Sequence, residues 1–149
     1  MKVFLALLAL LAAAGSLSAD LKKAMAEANL EKRSRLAIES AEAALKAARE
    51  AYESGNLPQS QALMDGTLAS IELADESLRQ TGKNPRKKPK HFKHAEMKTR
   101  DLLRNIESLE NFMSYTDRPV IKKLKARTRK IHEELLAGIM GQQPLGETR

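Results

Sequence analysis

Thr99, Leu102, Ile106, Leu109 and Met113 follow one another at alternating spacings of three and four, and Ile121, Leu124, Thr128, Ile131 and Leu135 repeat the pattern. Such spacing gathers five side chains on one face of an α-helix, at about 3.6 residues per turn, and on no face of a strand, whose period is about two. Two earlier stripes obey the same rule: Ile38, Ala41, Leu45, Ala48 and Tyr52, then Met64, Leu68, Ile71 and Leu78. Runs of β-branched residues long enough for a strand are absent, while Ala, Leu, Glu, Lys and Arg dominate. That is the composition of long helices, so the expected fold class is all-α.

Turn residues divide the stripes. The first helix is expected from Asp20 to Ser54, closed by Gly55 in the left-handed conformation, and the second opens near Pro58 in its first turn. Pro85 and Pro89 forbid a continuous helix through residues 84–89. A third helix is expected from Lys90 to Tyr115, and a fourth after "YTDRP", with Thr116 or Asp117 as N-cap and Pro119 in the first turn. The short turn makes these last two antiparallel, with Leu109 opposite Leu124 and Leu102 opposite Ile131 in a coiled-coil-like seam. The expected architecture is thus two antiparallel helical hairpins of four long helices, forming a bundle-like domain. Residues 20–80 make the first hairpin, 81–89 a basic linker, 90–140 the second hairpin and 141–149 a disordered tail. The first helix, at roughly 50 Å, outreaches the second, at roughly 35 Å, so its first turns overhang, fray or lie on the second hairpin.

The stretch "AREAYESGNLPQS" resembles the inter-helix turn of a tetratricopeptide repeat, with Tyr52, Gly55 and Ser60 in matching positions. The likeness spans residues 44–78 at most. One repeat length beyond Gly55 stands Pro89, where a second copy would need its glycine, so the resemblance implies a helical hairpin and no array.

Ahead of the helices, "MKVFLALLALLAAAGSLSAD" has the three parts of a secretory signal: basic Lys2, an apolar run from Val3 to Ala14, and a small-residue exit ending at Ala19. Cleavage after Ala19 is expected, with cleavage after Ser18 left open, and so is a periplasmic or secreted, bacterial location. The apolar run falls short of the roughly 20 residues that a bilayer-spanning helix needs. With no cysteine in the chain, neither a disulfide nor a lipid-anchored N-terminus is available, and packing alone must hold the fold.

The chemistry of catalysis is missing from the pattern. No serine stands in a glycine-flanked elbow, and the seven glycines form no phosphate-cradling loop. The expected protein is not an enzyme and holds no cofactor. His91 and His94, three apart, could share a weak surface metal site. The hairpin register, however, puts His132 level with about Asp101, roughly 10 Å from His94, and metal–ligand bonds are about 2 Å long. Solvated histidines beside lysines are the expectation, with no metal bound.

What the sequence does carry is charge. Asp20 to Gln80 holds eight basic and eleven acidic residues, whereas Thr81 to Arg149 holds seventeen basic and eight acidic. Glu107 and Glu110 are expected to pair with some of Lys122, Lys123, Lys125 and Arg127 along the seam. The rest of the surplus faces either the acidic first hairpin or an external anion. Lys87, Lys88, Lys90, Lys93, Lys122, Lys123, Arg127 and Lys130 are the candidate contacts with an anionic surface, such as lipid head groups, lipopolysaccharide or a wall polymer. Nucleic acid is disfavoured by the export signal and by Phe92 being the sole aromatic in the basic run. The functional expectation is an exported, non-enzymatic helical protein that binds or scaffolds in the cell envelope. The alternative is a periplasmic chaperone-like holdase of envelope proteins. Homo-oligomerisation stays open.

Overall fold

The apolar stripes all become helix. A computed structural model describes residues 19–142, and among them the regular structure is entirely helical. Residues 1–18 of the expected signal peptide and residues 143–149 of the expected tail lie outside the described residues. Five α-helices follow in order: α1 at residues 19–26, α2 Leu30–Glu53, α3 Leu57–Gln80, α4 Lys90–Phe112 and α5 Lys122–Met140, the last preceded by a 3-10 turn, Arg118–Ile121.

Five helices stand where four were expected, because the segment from Asp20 to Ser54 breaks at residues 27–29. Asn29 is extended (φ −74°, ψ 114°), and its side chain accepts from the Lys32 backbone N–H at 2.8 Å, an N-cap for α2. Glu27 holds the turn from the other side: its carboxylate accepts from Asn29 N–H at 3.0 Å and its carbonyl from Arg33 Nε at 2.8 Å. The break disposes of the overhang. α1 turns into the bundle, and Ala24 is fully buried in the common core.

The remaining boundaries follow local chemistry. Gly55 (φ 77°) ends α2 and Asn56 caps α3 by accepting from Gln59 N–H at 3.1 Å. In the residues that resemble a tetratricopeptide turn, Ser60 Oγ donates to the Ala48 carbonyl at 2.7 Å and ties α3 back to α2. α4 stops at Phe112, three residues before the expected Tyr115, since Met113 is extended. Asp117 does not cap α5 with its side chain. Its carboxylate accepts instead from the Tyr52 hydroxyl and the Ser114 hydroxyl, both at 2.8 Å, so tertiary bonding outbids the cap.

α2 packs chiefly on α3, and α4 chiefly on α5. Ser40 Oγ meets Ser70 Oγ at 3.1 Å in the first pair, and Lys125 Nζ meets Glu110 at 2.5 Å in the second; with the turn contacts, these fix both pairs as antiparallel. The buried positions of α2 and α3 include many small side chains, Ala37, Ala41, Ala44 and Ala48 on the one and Ser60, Ser70, Ala74 and Ser77 on the other, which suits close approach of the two backbones. α2 also lies along α4 and α3 along α5, both in parallel, whereas α2 and α5 do not touch. One core runs through the bundle. Ile38, Met64, Ile71, Leu78, Leu102, Ile106, Leu109, Ile121 and Ile131 are each at most 2% exposed, and each side chain of this size contributes about 1.5–3 kcal/mol on burial.

Candidate anion-binding surface

Because α4 and α5 are antiparallel, the eight candidate cations do not form one patch. Lys87 and Lys88 lie in the turn before α4, Lys90 and Lys93 in its first turn, and all four are exposed. Lys122 and Lys123 open α5 at the opposite end of the bundle. The 23 residues of α4 put roughly 30 Å between the two groups. Arg127 and Lys130 lie between them on α5.

Ion pairs cross between the two halves of the chain, and three cations of the basic half, Lys83, Lys98 and Arg127, take acids of the first half. Arg127 Nε is 3.1 Å from Glu72 and Arg79 Nη2 is 2.6 Å from Glu134, joining α3 to α5; Lys98 Nζ is 2.9 Å from Glu42, joining α2 to α4. Lys83 pairs with Glu31, and His91 Nε2 stands 3.3 Å from the other oxygen of that carboxylate. The Lys83 ammonium holds the Glu31 carboxyl below the usual glutamate range. Within the second half, Glu110 takes Lys125 as expected, but Glu107 takes Arg129 at 2.9 Å. Lys130 Nζ is 3.9 Å from Glu134. Lys87, Lys88, Lys93, Lys122 and Lys123 form no ion pair among the described residues.

The basic turn itself is built. Asn84 Oδ1 accepts from Arg86 N–H at 2.9 Å, and its carbonyl accepts from Lys88 N–H at 2.9 Å. The turn is seated on the end of α5. A Cβ at Gly138 would stand 3.3 Å from Pro85 Cγ, and one at Gly141 would stand 3.0 Å from Arg86 Cδ. Arg86 is therefore spread across the last turn of α5, while Lys87 and Lys88 point into solvent.

The parallel pairing of α2 and α4 adds basic residues from α2 that sequence reasoning missed. The two helices begin side by side and enclose a cleft of about 360 Å³ whose lining includes Lys32 and Arg35 of α2 and Lys90, His91 and His94 of α4. The signal was present in "NLEKRSR", but a first helix running unbroken from Asp20 gave no reason to place Leu30 level with Lys90. Lys32 is held by Glu27 at 2.7 Å, and this ammonium keeps the Glu27 carboxyl below its ordinary range.

His132 departs from the solvated histidine that was expected. Its Nε2 lies 2.9 Å from Glu96 Oε1, with both side chains mostly buried. Among the described residues, no group of three or more His, Asp or Glu is placed to hold a metal ion, and no helix is long and apolar enough to cross a membrane. Comparison with known families, with curated proteins and with solved structures finds no match for the chain.

Proposed function

We propose that the chain is an exported, non-enzymatic binding module of the cell envelope, in which two helical hairpins carry a basic head onto an anionic surface. One observation carries the reading. Lys87, Lys88 and Lys93 stand together, exposed and without an acidic partner among the described residues, in a bundle that matches most cations of its interior faces with carboxylates. Lys122 and Lys123, at the far end, do not meet a flat surface engaged by the head, and Arg127 serves the docking of α5 on α3. Solvation alone accounts for isolated lysines. A cluster fixed by a built turn supports a partner that supplies the negative charge.

The test replaces Lys87, Lys88, Lys90 and Lys93 with Gln and measures binding to phosphatidylglycerol and to neutral phosphatidylcholine vesicles across a salt series. Each lysine near an anionic membrane is worth roughly 1 kcal/mol, so the fourfold variant should lose nearly all salt-sensitive binding. Binding that is unchanged by the substitutions and indifferent to salt would remove the electrostatic mechanism.

A holdase of envelope proteins is the second reading. In its favour, Met25, Met97 and Met140, with adaptable thioether side chains, are each more than half exposed. It predicts suppression of aggregation of an unfolded envelope protein at equimolar ratio, unaffected by the lysine changes.

A further inference from the structure

We propose that the cleft between the first turns of α2 and α4 is a binding site for a phosphate group carried on a small polar head. The site rests on the reading that this end of the bundle meets anions, and narrows it from a diffuse surface to a place.

Its walls come from two helices. Lys32 and Arg35 project from α2, and Lys90, His91 and His94 from α4, around about 360 Å³ of open space. Glu31 is the acid in the lining, and its charge is already engaged by Lys83 and by His91 at 3.3 Å. Lys32 is likewise committed to Glu27 at 2.7 Å. That leaves Arg35 and His94 with no ion pair among the described residues, and Lys90 with Glu31 only at longer range. These three donors face the cleft from both sides.

The donor set selects the ligand. The Arg35 guanidinium is a planar fork suited to two oxygens of one phosphate, and Lys90 is a compact charge that can meet a third. A carboxylate offers two oxygens and a single charge, too few for donors on opposite walls. A phosphoryl group presents three acceptor oxygens and a charge of about −1.5 to −2. The volume lies at the lower end of the roughly 300–1,000 Å³ of small-molecule sites, which leaves room for a short organic head beside the phosphate. A free phosphate monoester and a lipid head group that ends in one, as in phosphatidic acid, share this chemistry, whereas the phosphodiester of phosphatidylglycerol, with two free oxygens and one charge, does not.

Amide NMR of the purified protein, titrated with inorganic phosphate, glycerol 3-phosphate and phosphatidic acid vesicles, separates the sources. Wild type is compared with the double variant Arg35→Gln/His94→Gln and with Lys122→Gln/Lys123→Gln at the opposite end. All four side chains are exposed, so both variants should keep the helical circular dichroism of the wild type. The expected result is saturable shifts confined to residues 29–35 and 90–94, with affinity for glycerol 3-phosphate about tenfold weaker in the first variant and unchanged in the second, in line with charge-assisted hydrogen bonds. If the soluble ester binds there and vesicles do not, the cleft stands and the surface reading falls. Vesicle binding that survives Arg35→Gln/His94→Gln, without saturable ester binding, overturns the cleft and leaves the surface reading in place. Shifts spread over all lysines and weakened equally by both variants also overturn it.

Discussion

Thr128 and Thr99 occupy comparable places on the apolar stripes of α5 and α4, and both are almost wholly buried. Thr99 Oγ1 donates to the Ala95 carbonyl at 2.8 Å and also lies 3.0 Å from the Glu96 carbonyl. Thr128 Oγ1 has no hydrogen-bond partner among the described residues. A buried hydroxyl left unsatisfied costs about 1–3 kcal/mol, so Thr128→Val, which keeps the shape, should raise the unfolding free energy by about 1 kcal/mol. Thr99→Val should give no gain. Urea unfolding of the two variants checks the contrast, and a loss in Thr128→Val would contradict it. The stripes told which residues are buried. They did not tell the two threonines apart, because a hydroxyl's rotamer depends on neighbours that belong to other helices. Tyr52 makes the same point. Its place on the α2 stripe was legible, but its hydroxyl accepts from Ser114 N–H at 2.9 Å and donates to Asp117, which lie more than sixty residues on.

At the scale of elements, helix type and most boundaries followed from periodicity, proline and glycine. The break at residues 27–29 did not, because Ala26, Glu27 and Ala28 are good or tolerable helix formers and Asn29 reads as an ordinary polar position within a long helix. The cap wins because Ala24 gains burial when α1 turns inward, and Glu27 is then bonded to Asn29, Lys32 and Arg33. Asn29→Ala should cost about 1 kcal/mol, the usual worth of an N-cap side chain. Thermal unfolding measures it, and an increase in stability would show that the break is not held by the cap. The 3-10 turn at Arg118–Ile121 has a similar origin: with Asp117 drawn to Tyr52, the chain enters α5 through Pro119 without a side-chain cap.

For the molecule as a whole, part of the charge division between the two halves works as internal docking, through Lys83, Lys98 and Arg127 on Glu31, Glu42 and Glu72. The solvent-accessible pairs of Glu42 with Lys98 and Glu72 with Arg127 are individually weak, at most about 1 kcal/mol, and Arg79 adds a link from α3 to Glu134 of α5. Asp75 is the costly member of this set. It is buried, and burial pushes its carboxyl above the ordinary aspartate range despite the hydrogen bond from Arg79 Nε at 2.8 Å. A raised acid pKa means that the folded state binds the proton more tightly than the unfolded chain. Asp75 therefore favours folding at low pH, and its contribution falls as pH rises from the ordinary value of 3.8 through the raised one. Asp75→Asn does not titrate, so its stability relative to wild type should improve between pH 3.5 and pH 7. Urea midpoints at the two pH values read this directly. A relative gain by wild type over that interval would refute it.

The sequence by itself determined that the described chain is helical, which faces are apolar and where most helices stop, since these depend on neighbours within a few residues. It also showed an excess of cations in the second half, because charge is a property of composition. Only the tertiary structure decided which cations are spoken for. That outcome depends on α2 lying parallel to α4 and α3 to α5, so that Glu31, Glu42 and Glu72 reach partners more than fifty residues away. The same alignment set Arg35 beside His94 and sent Lys122 to the opposite end.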